Sequence, residues 1–150
     1  MPLNVRVSIS GIQQVRRELD RIDARIADTA PFWRSVAIPI IKGKLRDIFS
    51  QEGPGWAPLT ESTLRSREFP GLPILEQTGN LKASVLDNPI IQITQDELLY
   101  GTNNPYAPFH EHGTRRMPAR PFLQPAIREL IARIQSEYIQ YIAREINRRV

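Results

Sequence analysis

The chain has 150 residues, a length that predicts a single domain over residues 1–150 with a core large enough to need no disulfide or metal staple. It contains no cysteine, which excludes a disulfide framework and thiolate metal sites and favours folding in a reducing cytoplasm. The net charge is +4, but the 16 acidic residues are interleaved with the 20 basic ones. Charge alone therefore indicates solubility and a weak attraction to polyanions rather than a dedicated DNA site.

No stretch of the sequence has the pattern of a membrane or secretory segment. Residues 1–6 lack the basic-then-apolar pattern of a signal peptide. The longest apolar run, at residues 36–41, is far too short to cross a bilayer. We therefore expect a protein that folds in the cytoplasm and makes no membrane contact.

The N-terminal third predicts one strand and two helices. Residues 4–9 alternate polar and apolar side chains, the pattern of a half-buried strand. Apolar residues then recur at spacings of three and four along one helical stripe, which consists of Ile12, Val15, Leu19, Ile22 and Ile26. We expect this stripe to pack on the sheet, because two heptads are too few to indicate a coiled-coil seam. Pro31 suits the first turn of the second helix, and Pro39 predicts a kink or break near residues 36–38.

The middle of the chain predicts loops and two short helices. Glycine and proline mark loops at residues 51–59 and 69–73. Thr60 can cap a short helix that runs through residue 67, because its hydroxyl can accept from the first free amides. A second short helix is expected over residues 78–84.

A hairpin and a long helix complete the predicted fold. Residues 90–94 and 98–102 are rich in β-formers and close in sequence, which indicates an antiparallel hairpin. Pro125 marks the first turn of a helix that extends nearly to the end of the chain. Its predicted apolar side consists of Ile127, Leu130, Ile131, Ile134, Tyr138, Tyr141, Ile142 and Ile146. The sequence thus predicts an α+β fold, a small antiparallel sheet packed by two N-terminal helices and the long C-terminal helix, with Pro/Gly-rich loops.

Residues 104–122, which we call the proline-rich segment, combine prolines and aromatics with two histidines and three arginines. Such a segment is too rigid for a flexible linker and too irregular for a core element, so it predicts a surface shaped for contact. His110 and His112 could bind zinc only with a third ligand, and the sequence has no further histidine and no cysteine. We favour polar contacts of the two imidazoles at a surface or subunit boundary.

Motifs of catalysis are not recognisable in the sequence. There is no Gly-x-Ser-x-Gly elbow, and no serine is placed beside either histidine. The glycine-containing loop at residues 53–55 is not followed by the Lys-Ser/Thr of a phosphate-binding loop. The sequence predicts neither an enzyme nor a cofactor or metal site.

The three arginines of the proline-rich segment admit two interpretations. Arg115, Arg116 and Arg120 could face DNA phosphates. Alternatively they pair with carboxylates of neighbouring elements or protomers, or face solvent, which we favour. Arg120 precedes Pro121, which biases its backbone to an extended form, and its guanidinium suits bidentate pairing with a carboxylate.

Trp56 lies in the Gly/Pro-bounded loop at residues 51–59. A tryptophan is rarely left exposed without a reason, so it can close the core as a lid. Tryptophan also dominates protein–protein hot spots, so it can equally anchor an interface. Both interpretations remain open from the sequence.

An ordered set of short motifs covers roughly residues 49–123. In chain order these are Glu52-Gly53-Pro54-Gly55-Trp56-Ala57-Pro58-Leu59 with Thr63, Ile74-Leu75, Thr78-Gly79, Leu81, Ser84, Tyr100-Gly101-Thr102-Asn103, Pro105-Tyr106-Ala107-Pro108, His110, Gly113-Thr114 and Pro118-Ala119-Arg120-Pro121-Phe122-Leu123. The set resembles the phage virion morphogenesis family, the tail-completion proteins of Mu-like tailed phages and prophages. His112 is a departure, since the family more often has an aromatic residue there.

The resemblance implies a non-enzymatic structural protein of the virion, one tail-completion-like domain that acts where head joins tail. It implies a ring of identical subunits at the head-proximal end of the tail, and a hexamer would match a contractile tail. The implied neighbours are a tail terminator or tail tube and head-closure or neck proteins, with non-specific DNA contact in the lumen. The alternative is a basic DNA-binding protein of phage assembly. The residues expected at protein interfaces are Trp56, Pro58, Tyr106, Phe109, His110, His112, Arg115, Arg116, Arg120 and Phe122.

Overall fold

The computed structural model of the chain describes residues 2–68 and 71–149. Its strands are β1 (Leu3–Ser8), β2 (Ile90–Ile93) and β3 (Glu97–Thr102). Its helices are α1 (Ile12–Ile22), α2 (Ala24–Ala27), α3 (Ala30–Phe32), α4 (Ile38–Ser50), α5 (Glu61–Ser66), α6 (Asn80–Leu86), α7 (Ala107–His112) and α8 (Leu123–Arg149). These elements confirm the predicted α+β class. Of the loop predicted at residues 69–73, Phe69 and Pro70 lie outside the described residues.

The three strands form one antiparallel sheet in the order β1-β3-β2. The predicted hairpin is present, with Ile90 opposite Gly101, and β1 adds to the other side of β3 with Leu3 opposite Thr102. Gly101 has no room for a side chain, because a Cβ there would collide with Asn4 and the Leu3 carbonyl. Along β1 the buried or half-buried residues alternate with exposed ones, so one face of the sheet packs against the helices.

The first helical stripe is only partly buried. Ile12 and Leu19 lie in the core, whereas Val15 is 42% and Ile22 is 69% exposed. The prediction that the whole stripe packs on the sheet is wrong for these two residues, because at 100° per residue they lie on the outer flank of the stripe. Asp23 then interrupts the helix, accepting a hydrogen bond from the Arg25 backbone at the start of α2.

The second predicted helix is continuous but irregular at the place that Pro39 indicates. A π-helical turn (Trp33–Ala37) links α3 to α4, and the Ile38 N–H donates to the Trp33 carbonyl, five residues back. Pro39 has no N–H to offer the preceding turn and its ring would clash there, so the wider turn accommodates it without a break. The predicted irregularity thus takes the form of a π turn.

The core lies between the sheet, α4 and α8. Its largest fully buried side chains are Trp33, Tyr100, Phe32, Phe49 and Phe122. α8 begins at Leu123, two residues before the predicted start. Its predicted apolar side is buried at five positions, partly buried at Tyr141 and Ile146, and 43% exposed at Ile131. Within the described residues, no helix combines the length and apolar composition needed to cross a membrane.

Candidate interaction surface

The proline-rich segment folds into a short helix, a tight turn and an extended stretch. Asn104 accepts a hydrogen bond from the Tyr106 backbone at 2.9 Å, and this turn leads into α7. Gly113 ends the helix, and Thr114 pairs with Met117 to close a turn that carries Arg115 and Arg116 at its tip. The segment is therefore helical over Ala107–His112 only, where Pro108 lies in the first turn, while Pro105 lies in the turn before the helix and Pro118 and Pro121 lie in the stretch after it.

Glu111 fixes the segment to the start of α8. Its carboxylate is buried and accepts hydrogen bonds from the backbone N–H groups of Phe122 at 2.8 Å, Leu123 at 3.1 Å and Gln124 at 2.8 Å. The first N–H groups of a helix have no partner within the helix, and its N-terminal end attracts negative charge. Glu111 carries no sequence signal as a cap, because eleven residues separate it from the first group that it binds.

Trp56 and Arg120 join the 51–59 loop to the proline-rich segment. The Trp56 indole N–H donates to the Pro121 carbonyl at 2.8 Å. Arg120 donates from Nε to the Ala57 carbonyl at 2.9 Å and from Nη2 to the Pro58 carbonyl at 3.2 Å. We call these reciprocal contacts the Trp56–Arg120 clamp.

The clamp decides between the two interpretations of Trp56. Only 8% of the residue is exposed, its ring packs edge-on against Phe49 at 6.0 Å, and a Cβ at Gly53 would collide with it. Trp56 thus closes the core within the subunit. The prediction that Arg120 pairs with a carboxylate is wrong for the described residues. The Arg120 side chain instead turns inward and donates to the backbone carbonyls of Ala57 and Pro58.

The ten residues expected at interfaces fall into three groups by exposure. Trp56, Arg120 and Phe122 are buried, and Phe122 packs against Phe49 at 5.7 Å. His110 is half-buried. The others are exposed and form what we call the exposed set, namely Pro58, Tyr106, Phe109, His112, Arg115 and Arg116. Tyr106 at 66% and Phe109 at 51% are unusually open for aromatic residues, while the buried group holds the backbone that presents them.

The two histidines point in different directions from α7. Two positions apart on a helix they are splayed, so they do not form a two-imidazole face. Among the residues that the structure describes, no three or more histidine, cysteine or acidic side chains are grouped as metal ligands would be. The Nδ1 atom of His110 is buried and has no hydrogen-bond partner among the described residues. Burial, with a smaller contribution from the charge of Arg120, lowers the pKa of His110.

We expect His110 to make the fold less stable as the pH falls. Because its pKa is lowered in the folded chain, the unfolded chain takes up the proton first, and stability is lost as the pH falls through the ordinary value of about 6.5. Thermal unfolding midpoints at about pH 8 and about pH 5 should therefore differ more for the wild type than for His110→Gln. His112→Gln, at an exposed position of the same helix, is the matched control. An unchanged pH dependence in His110→Gln would contradict the expectation.

A cleft of about 670 Å³ lies between the α5 region and the proline-rich segment. Pro58 and Thr60 line one side, and Tyr106 and Arg116 line the other. Because the Trp56–Arg120 clamp connects the two sides, the cleft has a fixed base. Part of the exposed set therefore borders a concave surface of the size typical of ligand sites.

Several motif residues that carry the family resemblance fasten the elements around this cleft. The Glu52 carboxylate accepts a hydrogen bond from the Ile74 N–H at 3.1 Å. Thr102 donates to Ser84 at 2.7 Å and so ties α6 to β3. These motif residues connect parts of the chain that are distant in sequence, so their role is to hold the subunit in its folded shape.

Comparisons with known proteins agree with these motifs. The model of the phage virion morphogenesis family matches residues 11–146. The chain is 29% identical over 126 residues to Mu-like prophage FluMu G protein 2 of Haemophilus influenzae, an alignment that covers 79% of this chain and 83% of that protein. No solved structure matches the chain significantly. Because the family match extends over most of its length, the chain belongs to the phage virion morphogenesis family and has a structural role in building a phage particle.

Proposed function

We propose that the protein completes the head-proximal end of a phage tail as a ring of identical subunits and so permits the head to join. In this proposal the exposed set contacts a neighbouring copy or an adjacent tail-terminator, tail-tube or neck protein. The observation that carries it is the pair Tyr106, just before α7, and Phe109, within it, which are both exposed although the surrounding backbone is tightly fixed. Family membership supports the virion role, and the ring and its position are our inference.

The physical basis is preorganisation. Aromatic and arginine side chains contribute most to protein–protein contacts, and the exposed set contains both. Glu111 and the Trp56–Arg120 clamp already hold the backbone beneath them, so little conformational entropy is lost when the surface docks. A ring needs such a rigid contact, because each subunit must meet the next at the angle that closes the circle. The buried members of the predicted set act here by positioning the exposed ones.

The first test changes the two exposed aromatics together. Tyr106→Ser with Phe109→Ser should leave the fold intact, since both side chains are exposed, but should block joining and leave free heads and free tails. Electron microscopy of particles from a phage or prophage that carries the variant gene measures this, with far-ultraviolet circular dichroism of the purified chain as the folding check. Ile139→Ser is the matched control, because Ile139 is 69% exposed on α8.

Two outcomes would contradict the proposal. Normal joining by the double variant would remove the exposed set from the interface. A block by Ile139→Ser alone would move the interface to α8. Negative-stain microscopy of the wild-type chain mixed with tail tubes tests the ring directly, and rings capping the tube ends are expected.

A DNA-binding role is the rival proposal. The exposed Arg115 and Arg116 at the tip of the 114–117 turn are the feature that favours it. Binding to duplex DNA measured against salt concentration separates the two roles, since a protein that neutralises several phosphates shows a steep log–log dependence. Tight binding at physiological salt with a steep slope would favour DNA over a protein partner.

A further inference from the structure

The cleft beside the proline-rich segment has an apolar base and a basic rim. Leu59, Leu75 and Leu81 contribute apolar surface, and Arg67 and Arg116 lie among the other lining residues. None of the described residues that line the cleft is acidic, although the whole chain has 16 acidic and 20 basic residues. A concave surface with this composition suits a ligand that carries both apolar groups and negative charge.

The positive charges of the cleft are not offset by carboxylates of residues 2–68 and 71–149. Arg120 also lines the cleft and is only 6% exposed, and its hydrogen bonds go to neutral carbonyls. Arg67 likewise donates to the carbonyls of Leu72 and Pro73. Among the described residues, no carboxylate forms an ion pair with Arg67, Arg116 or Arg120. The lining therefore carries positive charge that no carboxylate of these residues offsets, and this charge favours an anionic ligand.

Helix α5 favours a macromolecular ligand over a small anion. None of its residues is buried, and Leu64 is 41% exposed. Its N-terminus is held by Thr60, which accepts a hydrogen bond from the Thr63 backbone at 3.3 Å. Short helices are marginal in water without packing, so α5, which contributes Thr63 to the cleft and carries Leu64 beside it in sequence, has unused packing capacity. A small anion would neutralise the arginines but would leave the helix uncovered.

We propose that the cleft binds a carboxylate-bearing segment of another virion protein. Its apolar side chains rest on the leucine surface, and its carboxylate pairs with Arg116 at the rim. This inference rests on the proposed function, in which the chain joins neighbouring proteins of the particle. It adds the chemistry of the partner, an acidic and apolar segment.

Charge and shape favour this occupant over the others. A second copy of the chain would bring a net charge of +4 to a basic cleft. Duplex DNA would offer phosphates to the rim, but its surface has no apolar side chains for the leucine base. An acidic segment of a different protein satisfies both parts of the cleft.

The test is fluorescence anisotropy with short labelled peptides and the purified full chain. The probe alternates leucine and glutamate, and matched probes replace glutamate with glutamine or lysine. The glutamate peptide should bind, and the other two should bind at least about tenfold more weakly. Arg116→Glu should weaken binding of the glutamate peptide by at least about tenfold. Because Arg116 is exposed, this substitution should leave the fold intact. Arg128→Glu is the matched control, because Arg128 is exposed on α8 and does not line the cleft.

Each other result overturns the proposal. Equal binding of the glutamine peptide would mean that charge is not recognised. No binding of the glutamate peptide up to about 1 mM would mean that the cleft is not such a site. Displacement of the peptide by duplex DNA, itself abolished by Arg116→Glu, would assign the cleft to nucleic acid. The assay uses no particles, so failed peptide binding alongside blocked joining by the Tyr106 and Phe109 variant would refute the acidic partner and leave the proposed function standing.

Discussion

Replacing Glu111 by alanine should lower the free energy of unfolding by about 3 kcal/mol. Three backbone N–H groups at the start of α8 would lose their acceptor, and water does not easily replace the carboxylate at two of them, since Phe122 and Leu123 are fully buried. For a chain of this length the change corresponds to a fall of about 6–12 °C in the unfolding midpoint. Thermal and urea unfolding followed by circular dichroism measure it.

Two further variants make the Glu111 prediction specific. Glu111→Gln keeps one acceptor oxygen and the side-chain volume but loses the charge. It should therefore lower the free energy of unfolding by less than Glu111→Ala does. Glu61→Ala removes an exposed carboxylate in the first turn of α5, 86% exposed, and should change stability by less than about 0.5 kcal/mol. Equal midpoints for Glu111→Ala and the wild type would show that water replaces the carboxylate at no cost and would contradict the capping role.

Removing the Trp56 side chain should cost about 3–5 kcal/mol, because it creates a cavity beside Phe49 and breaks the hydrogen bond to the Pro121 carbonyl. Trp56→Phe retains a ring but no N–H group, so it should cost less. The loop at residues 51–59 would also lose one of its two attachments to the proline-rich segment. Limited proteolysis of that loop, together with urea unfolding, measures both effects.

The clamp predicts that Trp56 and Arg120 depend on each other. A double-mutant cycle with Trp56→Phe and Arg120→Met should give a coupling free energy of about 0.5–3 kcal/mol, because the two side chains hold the same pair of chain segments. Strictly additive losses would show that the two contacts stabilise the fold independently. Such a result would contradict the idea that the clamp acts as one unit, although each contact would still contribute to stability.

The sequence predicted the elements whose causes are local. The alternation at residues 4–9, the close pair of β-rich runs and the Thr60 cap depend on near neighbours, and each is present in the structure. Pro39 likewise marked the irregular part of its helix, because a missing N–H acts on the preceding turn. The motif order at residues 49–123 also indicated the family that the comparison confirms.

The tertiary structure decided which side chains of the proline-rich segment face inward. A residue type and its spacing do not reveal a partner far along the chain. Arg120 therefore suggested a carboxylate but binds the carbonyls of Ala57 and Pro58, 63 and 62 residues away. Glu111 gave no sequence signal as a helix cap, because its partners follow a turn whose path is set by packing.

The sequence by itself determined the fold class and the family, since periodicity, turn chemistry and motif order depend on neighbouring residues. Only the tertiary structure separated Trp56, Arg120 and Phe122 inside the subunit from Tyr106 and Phe109 on its surface. The reason is physical: burial and charge pairing depend on which distant segments pack together, and that is settled when the whole chain has folded.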